Sequence, residues 1–504
     1  MISRYQIEPP LEKELSLVVL KTGEEYIESL RKRGPLKIYM LGEKIENPVD
    51  HPIIRASINS VALTYDLAHD ERFSDLMTAK SVITGNRINR FCHLHNSTED
   101  LQNKVKMQRV LGQLSGTCFQ RCVGMDALNA VYLTTYEIDQ QFGTDYHKRF
   151  SEYIKKAESE DWTIDGCMTD PKGDRSKRPS EQSDPDVYVH VVERRDDGVV
   201  IRGAKAHQTG AVNSHEHLIM PTLAMRNEDK DYAICCAIPA DAEGITYYYG
   251  RQSCDLRRLD ETETGDVDCG NPTFGGQECL IVFDNVFVPN ERIFMNGESE
   301  FCNRLVESFA AYHRQSYGGC KVGVGDVLVG AAASIAEYNG VEKASHIKDK
   351  ITEMVHLNET LYSCGIACSA AGQKTPAGNY LVDLLLANVC KQNVTRFPYE
   401  ISRLLQDIAG GLFVTCPSAR ELSNPETREI VEKYLVGAEG VDTMDRVKML
   451  RLIENLTLGR AAVGYLTESM HGAGSPQAQR IMINRLSDLE EKKKLAKNLA
   501  RVSE

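Results

Sequence analysis

Apolar positions along the chain follow three successive patterns. In about the first 155 residues they recur at helical spacing, as in residues 11–34, where Gly34-Pro35 is a stop signal. From Trp162 to about Met295 they alternate with period two, which is typical of strands, and Asp196-Asp197-Gly198 is a hairpin signal. The helical period then returns and continues to the end. These patterns predict an α+β protein with a helical domain at 1–157, a β-domain at 158–296 and a second helical domain at 297–504.

The charge balance argues against two classes of partner. The 504-residue chain has 59 Lys and Arg against 72 Asp and Glu, a net charge of −13. Nonspecific nucleic-acid binding and docking on an anionic membrane both need a basic surface, so we expect neither. The apolar content of 42% is ordinary for a globular protein.

Targeting signals and cysteine usage indicate a cytoplasmic protein. The N-terminus has no basic segment followed by an apolar one, and no apolar run of about 18 uncharged residues predicts a membrane span. The longest candidate, Val322–Tyr338, contains Asp326 and Glu337. The 15 cysteines are therefore expected to be reduced, and most of them to be buried as small hydrophobes.

Common nucleotide-binding signatures are missing from the chain. It has no G-x-G-x-x-G after a strand and no Walker A loop. The glycine-rich stretch at 321–330 lies in a helical context and is expected to allow close helix packing. A long polar stretch, Asp170–Asp186, is either a functional loop or a solvated surface loop.

Two cysteine and histidine motifs carry candidate chemistry. Cys118 and Cys122 are four residues apart in a helical stretch, so both sulfurs are expected on one helix face. Cys364 and Cys368 share this spacing but are expected to be packed core cysteines. The second motif places His313 and Cys320 seven residues apart, two helical turns, with Tyr317 between them on the same face.

Two glycines inside the second motif have two possible explanations. Gly318 and Gly319 each cost about 1 kcal/mol relative to Ala within a helix. The close approach of a bulky group to the backbone would explain them, and so would a tight helix crossing beside a buried histidine.

Together the two motifs supply a set of three thiolates and one imidazole. Such a set fits either a zinc ion or an iron–sulfur cluster. The residues alone do not favour one of these over the other. A zinc-stabilised scaffold without catalysis therefore stays open at this point.

Five motifs, in their order along the chain, resemble those of a known family. The motifs are CFQRC at 118–122, HQTG at 207–210, GGQE at 275–278, HRQSYGGCK at 313–321 and ESMHGAGSPQAQ at 468–479. They resemble the dehydratase branch of the 4-hydroxyphenylacetate 3-hydroxylase family. The resemblance implies an acyl-CoA dehydrogenase-like fold, with an N-terminal helical domain, a central β-barrel domain and a C-terminal helical bundle.

The resemblance also implies two cofactors, FAD and a [4Fe–4S] cluster, and a homotetramer with shared flavin sites. The implied cluster ligands are Cys118, Cys122, His313 and Cys320. The implied flavin-binding residues are Thr169, Asp170, Asp174, Arg175, His207, Gln208 and Thr209, together with Gln406, Asp407, Gly410 and Gly411 reaching a neighbouring subunit's flavin. The implied catalytic residues are His313, Glu278, Glu468, Tyr317, Lys321 and Gln120.

The implied activity is a radical-type dehydration of 4-hydroxybutyryl-CoA to crotonyl-CoA, with isomerisation of vinylacetyl-CoA as a second activity. The thioester acidifies the α-hydrogen but not the β-hydrogen, which explains the need for a flavin and for a Lewis-acidic cluster. We expect His313 or a glutamate to take the α-proton. Candidate partners of the CoA phosphates are Lys172, Arg175, Lys177 and Arg178. The alternative is a two-component flavin monooxygenase that hydroxylates a phenol, which would not need the cysteine and histidine set.

Overall fold

The structure, a computed structural model, describes residues 20–253 and 255–502. Residues 11–19 of the first predicted helix lie outside this range. Among the described residues the helix begins at Gly23, with Thr22 as its N-cap, so residues 20–22 are not helical. Its end at Lys32, before Gly34-Pro35, is as predicted.

The first third of the described chain is mainly helical. Its helices are α1 (Gly23–Lys32), α2 (Pro52–Asp66), α3 (Ser74–Met77), α4 (Thr98–Ser115), α5 (Cys122–Phe142) and α6 (Tyr146–Ser159). It also contains four short strands, β1 (Lys37–Met40), β2 (Glu43–Ile45), β3 (Thr78–Lys80) and β4 (Arg87–Asn89).

The strands β1 and β2 correct the prediction that this region is helical throughout. Strand β1 pairs in parallel with a strand of the central region, Lys37 lying beside Thr246. The segment Lys37–Met40 alternates between exposed and buried side chains, the period-two pattern of a strand. A strand this short is stabilised by pairing with a strand far away in the sequence. The local spacing of apolar residues does not reveal that pairing.

The central region contains most of the strands, as predicted. They are β5 (Ile164–Cys167), β6 (His190–Arg195), β7 (Gly198–Thr209), β8 (Glu216–Ile219), β9 (Ile234–Pro239), β10 (Ile245–Tyr249), β11 (Glu278–Pro289) and β12 (Ile293–Asn296), with one short helix, α7 (Glu263–Asp268). The turn predicted at Asp196-Asp197-Gly198 joins β6 to β7 and is confirmed.

Two sheets share one apolar core. The larger sheet has the order β2-β1-β10-β11-β7-β6, and the smaller has the order β12-β9-β8-β5. Buried residues of both sheets, such as Ile281 and Phe283 of β11 and Ile219 of β8, belong to one cluster. This core fixes the strands whose ends carry the candidate site residues.

The last third of the described chain is helical, as predicted. Its helices are α8 (Cys302–Tyr338), α9 (Ser345–Ala370), α10 (Leu384–Val394), α11 (Phe397–Ala409), α12 (Leu412–Thr415), α13 (Arg420–Ser423), α14 (Arg428–Leu435), α15 (Thr443–Thr457), α16 (Arg460–Ala462), α17 (Glu468–His471), α18 (Pro476–Leu486) and α19 (Leu489–Ala500). A small hairpin, β13 (Gln373–Lys374) and β14 (Tyr380–Leu381), interrupts them, and a π-helical turn, Val463–Thr467, precedes α17.

Helix α8 runs through the core of this helical region. Among the described residues, the segment Ser299–Tyr338 alone is long and apolar enough to span a membrane by length and composition, yet 61% of its apolar window is buried inside the protein. The core helix of a globular protein meets the same criteria. The extensive burial of α8 suits its role in carrying site residues.

The glycines of α8 are explained by tight helix crossings. A Cβ on Gly318 would lie 2.6 Å from the Cα of Gly365 on α9, and one on Gly319 would lie 2.5 Å from the carbonyl oxygen of Val105 on α4. The helix-crossing explanation is therefore correct, and the close approach of a bulky group is not needed. Gly323 and Gly325 likewise abut α4 and α9, which confirms the packing role predicted for 321–330.

Candidate active site

The first cysteine motif is not helical throughout, which corrects the prediction of a shared helix face. Helix α4 ends before Gly116, which is left-handed with φ +61°, and α5 begins only at Cys122. Cys118 lies in the connection between them, where Gln120 is also left-handed with φ +69°. The turn, rather than one helix face, therefore sets the position of the Cys118 sulfur relative to that of Cys122.

The second motif lies on α8, as predicted. The His313 and Tyr317 rings meet edge to face with centroids 5.0 Å apart, and both side chains are almost fully buried. Cys320 follows on the same face and is close enough to Cys118 and Cys122 to affect their ionisation. Burial raises the pKa of Cys118 and of Cys122 well above the usual range of a thiol, and Cys320 adds to both shifts.

A buried carboxylate orients His313. Oδ2 of Asp126 lies 2.8 Å from Nδ1 of His313, and Oδ1 of Asp126 lies 2.5 Å from Nζ of Lys104. Asp126 and Lys104 are both fully buried. Since a carboxylate accepts hydrogen bonds, Nδ1 of His313 carries the hydrogen and Nε2 is the ring atom with a free lone pair.

Two glutamates and a lysine form the polar part of the site. Glu278, the first residue of β11, and Glu468, the first residue of α17, lie side by side, and Glu278 also accepts a hydrogen bond from Gln252. Oε2 of Glu468 lies 3.0 Å from Nζ of Lys321, which also donates to the carbonyl oxygen of Gly464. The irregular turn before α17 places Glu468 at this position.

The pKa values of Glu278 and Lys321 are both shifted in this site. Burial and the neighbouring Glu468 raise the pKa of Glu278 to about 8. Burial disfavours the charged form of Lys321, but Glu468 outweighs this and raises the pKa of that ammonium group. Near neutral pH the site therefore contains a protonated Glu278 beside an ion pair of Glu468 and Lys321.

A second lysine, Lys391 of α10, lies beneath Tyr317. Its Nζ is 4.3 Å from the centre of the Tyr317 ring and donates to the carbonyl oxygen of Ser469 at 2.5 Å. Burial lowers the pKa of Lys391 well below its usual range, and the charge of Lys321 adds to that shift. Lys391 thus ties Tyr317 to the start of α17.

The candidate flavin-binding residues of the central region have different surroundings, and Thr209, Gln208 and His207 lie together at the end of β7. Thr209 pairs in register with Glu278, and its hydroxyl lies 3.5 Å from Oε1 of Glu468, so it belongs to the site. Gln208 is buried and donates to the carbonyl oxygen of Thr169 at 3.2 Å. His207 precedes it in a left-handed conformation, φ +58°. These residues meet at the end of β7.

Asp170 takes part in an internal ion pair. Its Oδ1 lies 2.9 Å from Nζ of Lys205, with both side chains buried. Burial raises the pKa of Asp170, which Lys205 opposes. This contact anchors the start of the polar loop to β7.

The polar loop that follows is largely exposed. Asp174 caps a turn at Ser176, and Arg175 and Lys177 face solvent. Arg178 binds Asp229 at 2.5 Å. The side chain of Arg178 is thus committed to holding the loop, which argues against its predicted role at the CoA phosphates.

The segment 406–411 lies apart from Thr209 within this chain. Gln406 and Asp407 lie in the last turn of α11, and Asp407 pairs with Lys350 of α9 at 2.7 Å. Gly410 is left-handed, φ +70°, and neither Gly410 nor Gly411 would bring a Cβ within 4 Å of another part of the described chain. The segment is open on the surface at this point.

The side chain of Gln120, predicted to face the substrate, makes internal hydrogen bonds in this structure. Its Nε2 donates to the carbonyl oxygens of Ser57 and Gly275 at 3.0 and 3.2 Å, and its Oε1 accepts from Asn213 at 2.7 Å. The side chain is 2% exposed. These bonds use the whole amide to fix the left-handed turn between the two cysteines.

Comparisons with known proteins show the family to which this chain belongs. The N-terminal and C-terminal models of the 4-hydroxyphenylacetate 3-hydroxylase family match residues 22–295 and 302–501. The chain belongs to the 4-hydroxyphenylacetate 3-hydroxylase family. A relative from Clostridium aminobutyricum named 4-hydroxybutyryl-CoA dehydratase/vinylacetyl-CoA-Delta-isomerase is 61% identical over 490 residues, covering 96% of this chain and 99% of its own.

Solved structures of this family share the fold. An oxygen-tolerant 4-hydroxybutyryl-CoA dehydratase from N. maritimus matches with a TM-score of 0.94 and 60% identity over 96% of both chains. The oxygenase component of 4-hydroxyphenylacetate 3-monooxygenase in complex with FAD matches with a TM-score of 0.83 and 23% identity, over 95% of this chain and 98% of its own. Glutaryl-coenzyme A dehydrogenase, 14% identical over 99% of this chain and 98% of its own, has a TM-score of 0.52. These two more distant matches show the fold alone, and they confirm that it is acyl-CoA dehydrogenase-like, with mixed helices and sheets.

Sequence reasoning missed three charged residues of this family member, Lys104, Asp126 and Lys391. Asp126 stands four residues after Cys122 in the otherwise mostly apolar start of α5, a signal that could have identified it. Lys104 and Lys391 carry no such signal, because their partners lie on other helices.

We expect the substitution Asp126→Asn to destabilise the protein strongly. It leaves the ammonium group of Lys104 buried without a carboxylate, which costs about 3–5 kcal/mol. The control Asp145→Asn breaks the partly exposed pair with Arg149 and should cost no more than about 1 kcal/mol. Urea denaturation of both variants measures the difference, and equal losses would show that Asp126 does not hold this region together.

Proposed function

We propose that this family member is a 4-hydroxybutyryl-CoA dehydratase, a carbon–oxygen lyase that forms crotonyl-CoA and also isomerises vinylacetyl-CoA. One observation carries the proposal: Cys118, Cys122 and Cys320 are close enough to Glu468 for its charge to act on them, in a chain 61% identical to a relative of that name. His313 packs on Tyr317 one turn before Cys320. The phenol-hydroxylating relatives are distant, the Thermus thermophilus oxygenase component being 27% identical.

Cys118, Cys122, His313 and Cys320 would hold the [4Fe–4S] cluster. Ligands of one metal ion, at about 2.0–2.3 Å each, lie no more than about 4.6 Å apart. Among the described residues, no three of these four donors lie within 4.8 Å of one another. The set therefore suits a larger centre better than a single zinc ion, and Asp126 leaves Nε2 of His313 as its donor.

Thr209, Gln208, His207 and Thr169 would line the FAD. Support comes from the FAD complex of the family's monooxygenase and from the contact of Thr209 with Glu468. Residues 406–411 would reach the flavin of a neighbouring subunit in a cytoplasmic homotetramer. Their exposed position at the end of α11 suits such a contact.

When bound, FAD and the cluster supply one-electron chemistry and a Lewis acid for the departing hydroxyl. The carboxyl groups of this chain handle the protons. Glu468, whose Oε2 lies 3.0 Å from Nζ of Lys321, is the proposed base for the α-proton of the thioester. Glu278, protonated near neutral pH, is the donor beside it.

His313 and Tyr317 have positioning roles in this proposal. Nδ1 of His313 is bound to Asp126, and Nε2 is assigned to the cluster, so the ring has no atom left for the α-proton. Tyr317 is held between Lys391 and Lys321, whose Nζ atoms lie 4.3 and 5.0 Å from the ring centre. Its hydroxyl group lies against Gly472, directly after α17, the helix that begins with Glu468.

The activity is tested on anaerobically purified holoenzyme with 4-hydroxybutyryl-CoA. We expect crotonyl-CoA without added reductant or oxygen, and we expect Cys320→Ser to abolish its formation. Cys364→Ser is the matched control, because Cys364 lies on α9 away from Glu468 and should leave the rate unchanged. Hydroxylation of a phenol with reduced flavin and oxygen, and no crotonyl-CoA, would contradict the proposal and support a monooxygenase.

The pKa of Glu278 sets an alkaline limit to the rate. Because the pKa of the Glu278 carboxyl group is raised to about 8, the protonated form is present below pH 8. It is lost as the pH rises through 8. We expect Glu278→Gln to lower kcat by about 10²–10⁴-fold and to remove this alkaline limb. The control Glu193→Gln, on the exposed part of β6, should keep both rate and limb. An unchanged limb near pH 8 in Glu278→Gln would rule out Glu278 as the donor.

A further inference from the structure

A second cluster of metal-binding side chains lies away from the candidate active site. Asp165 and Cys167 are two residues apart on β5, so their side chains share one face of the smaller sheet. His217 of β8 pairs in register with Asp165 and projects from the same face. All three side chains are buried, with exposed fractions of 1% or less.

The three donor atoms are spaced as the ligands of one ion would be. Nδ1 of His217 lies 3.3 Å from Oδ2 of Asp165 and 3.6 Å from Sγ of Cys167. Sγ of Cys167 lies 3.1 Å from Oδ2 of Asp165. Tetrahedral zinc, with bonds of about 2.0–2.3 Å, places such donors roughly 3.3–3.6 Å apart. Two separations fall in this range and the third is slightly shorter.

A tyrosine fixes the tautomer of His217 that metal binding requires. The Tyr247 hydroxyl donates to the carbonyl oxygen of Ala240 at 2.6 Å, so it can only accept from Nε2–H of His217, also at 2.6 Å. The lone pair of neutral His217 is then on Nδ1, which faces Asp165 and Cys167. Metal-binding histidines are commonly oriented by a hydrogen bond of this kind at the other ring nitrogen.

The surroundings of the three residues offer an unused ligand atom, and a nearby positive charge that would repel a cation is already paired. Oδ1 of Asp165 is buried and has no hydrogen-bond partner among the described residues, so it offers a further ligand atom. The nearby ammonium group of Lys205 is already neutralised by Asp170 at 2.9 Å. A divalent cation with the Asp165 carboxylate and a Cys167 thiolate would form a neutral buried unit.

We propose that Asp165, Cys167 and His217 bind a structural zinc ion, separate from the candidate active site. On binding, the Cys167 thiol loses its proton to solvent and the thiolate sulfur bonds to Zn²⁺, with no change in oxidation state. Because the site is fully buried, the ion enters as the chain folds. It holds β5 to β8 just before Thr169 and faces Tyr247 of the larger sheet.

The test measures zinc and iron in holoenzyme expressed in zinc-supplemented medium. We expect about one zinc per chain in the wild type and less than about a tenth of that in Cys167→Ser, with iron unchanged. The matched control is Cys235→Ser, a buried cysteine of the neighbouring strand β9 that packs in the other core cluster, and it should retain the zinc.

A second experiment does not depend on whether the Cys167→Ser variant folds. It locates zinc in wild-type crystals by anomalous scattering at the zinc absorption edge. A peak between Asp165, Cys167 and His217 supports the proposal. A wild-type protein without zinc, or a zinc peak only at Cys118, Cys122 and Cys320, overturns it. The three residues would then be a hydrogen-bonded network in which the Cys167 thiol donates to Asp165.

Discussion

The buried ion pair of Asp126 and Lys104 is the contact on which the candidate site depends. It joins α5 to α4, and the second oxygen of Asp126 binds His313 on α8. The helices that carry Cys122, His313 and Cys320 therefore meet at one carboxylate. Since neither charge has access to water, separating these helices would leave a charge buried and unpaired, a strongly unfavourable state.

The arrangement of charges next to this contact suits proton transfer. Lys321 follows Cys320 directly and binds Glu468, so one turn of α8 supplies both a candidate cluster ligand and the partner of a candidate base. Glu278 lies at the same point, at the start of β11 in the larger sheet. Its partner in the strand pairing, Thr209, is the last residue of β7. Burial and the nearby Glu468 raise the pKa of Glu278, which suits the proton-donor role proposed for it.

Spacing within a single helix was a sound guide to the site. His313, Tyr317 and Cys320 share a face of α8 because three- and four-residue steps persist in any helix. The same reasoning failed at Cys118, where Gly116 ends α4 and Gln120 takes a left-handed conformation that no periodicity reports.

Local sequence patterns could not predict the contacts between distant segments of the chain. Strand β1 joins the central sheet through Thr246, and the pairing of Lys104 with Asp126 depends on how two helices cross. The helix–sheet–helix order of the chain and the family resemblance came from the sequence, whereas the buried charges that orient the site residues came only from the folded structure. The domain boundaries at 157 and 296 stay predictions.

The most direct measurement is the iron, acid-labile sulfide and flavin content of the anaerobically purified protein. The account predicts about four irons, four sulfides and one FAD per chain, with the cluster at Cys118, Cys122, His313 and Cys320. Flavin without iron and sulfide would contradict it, because the three thiols and the histidine would then have another role.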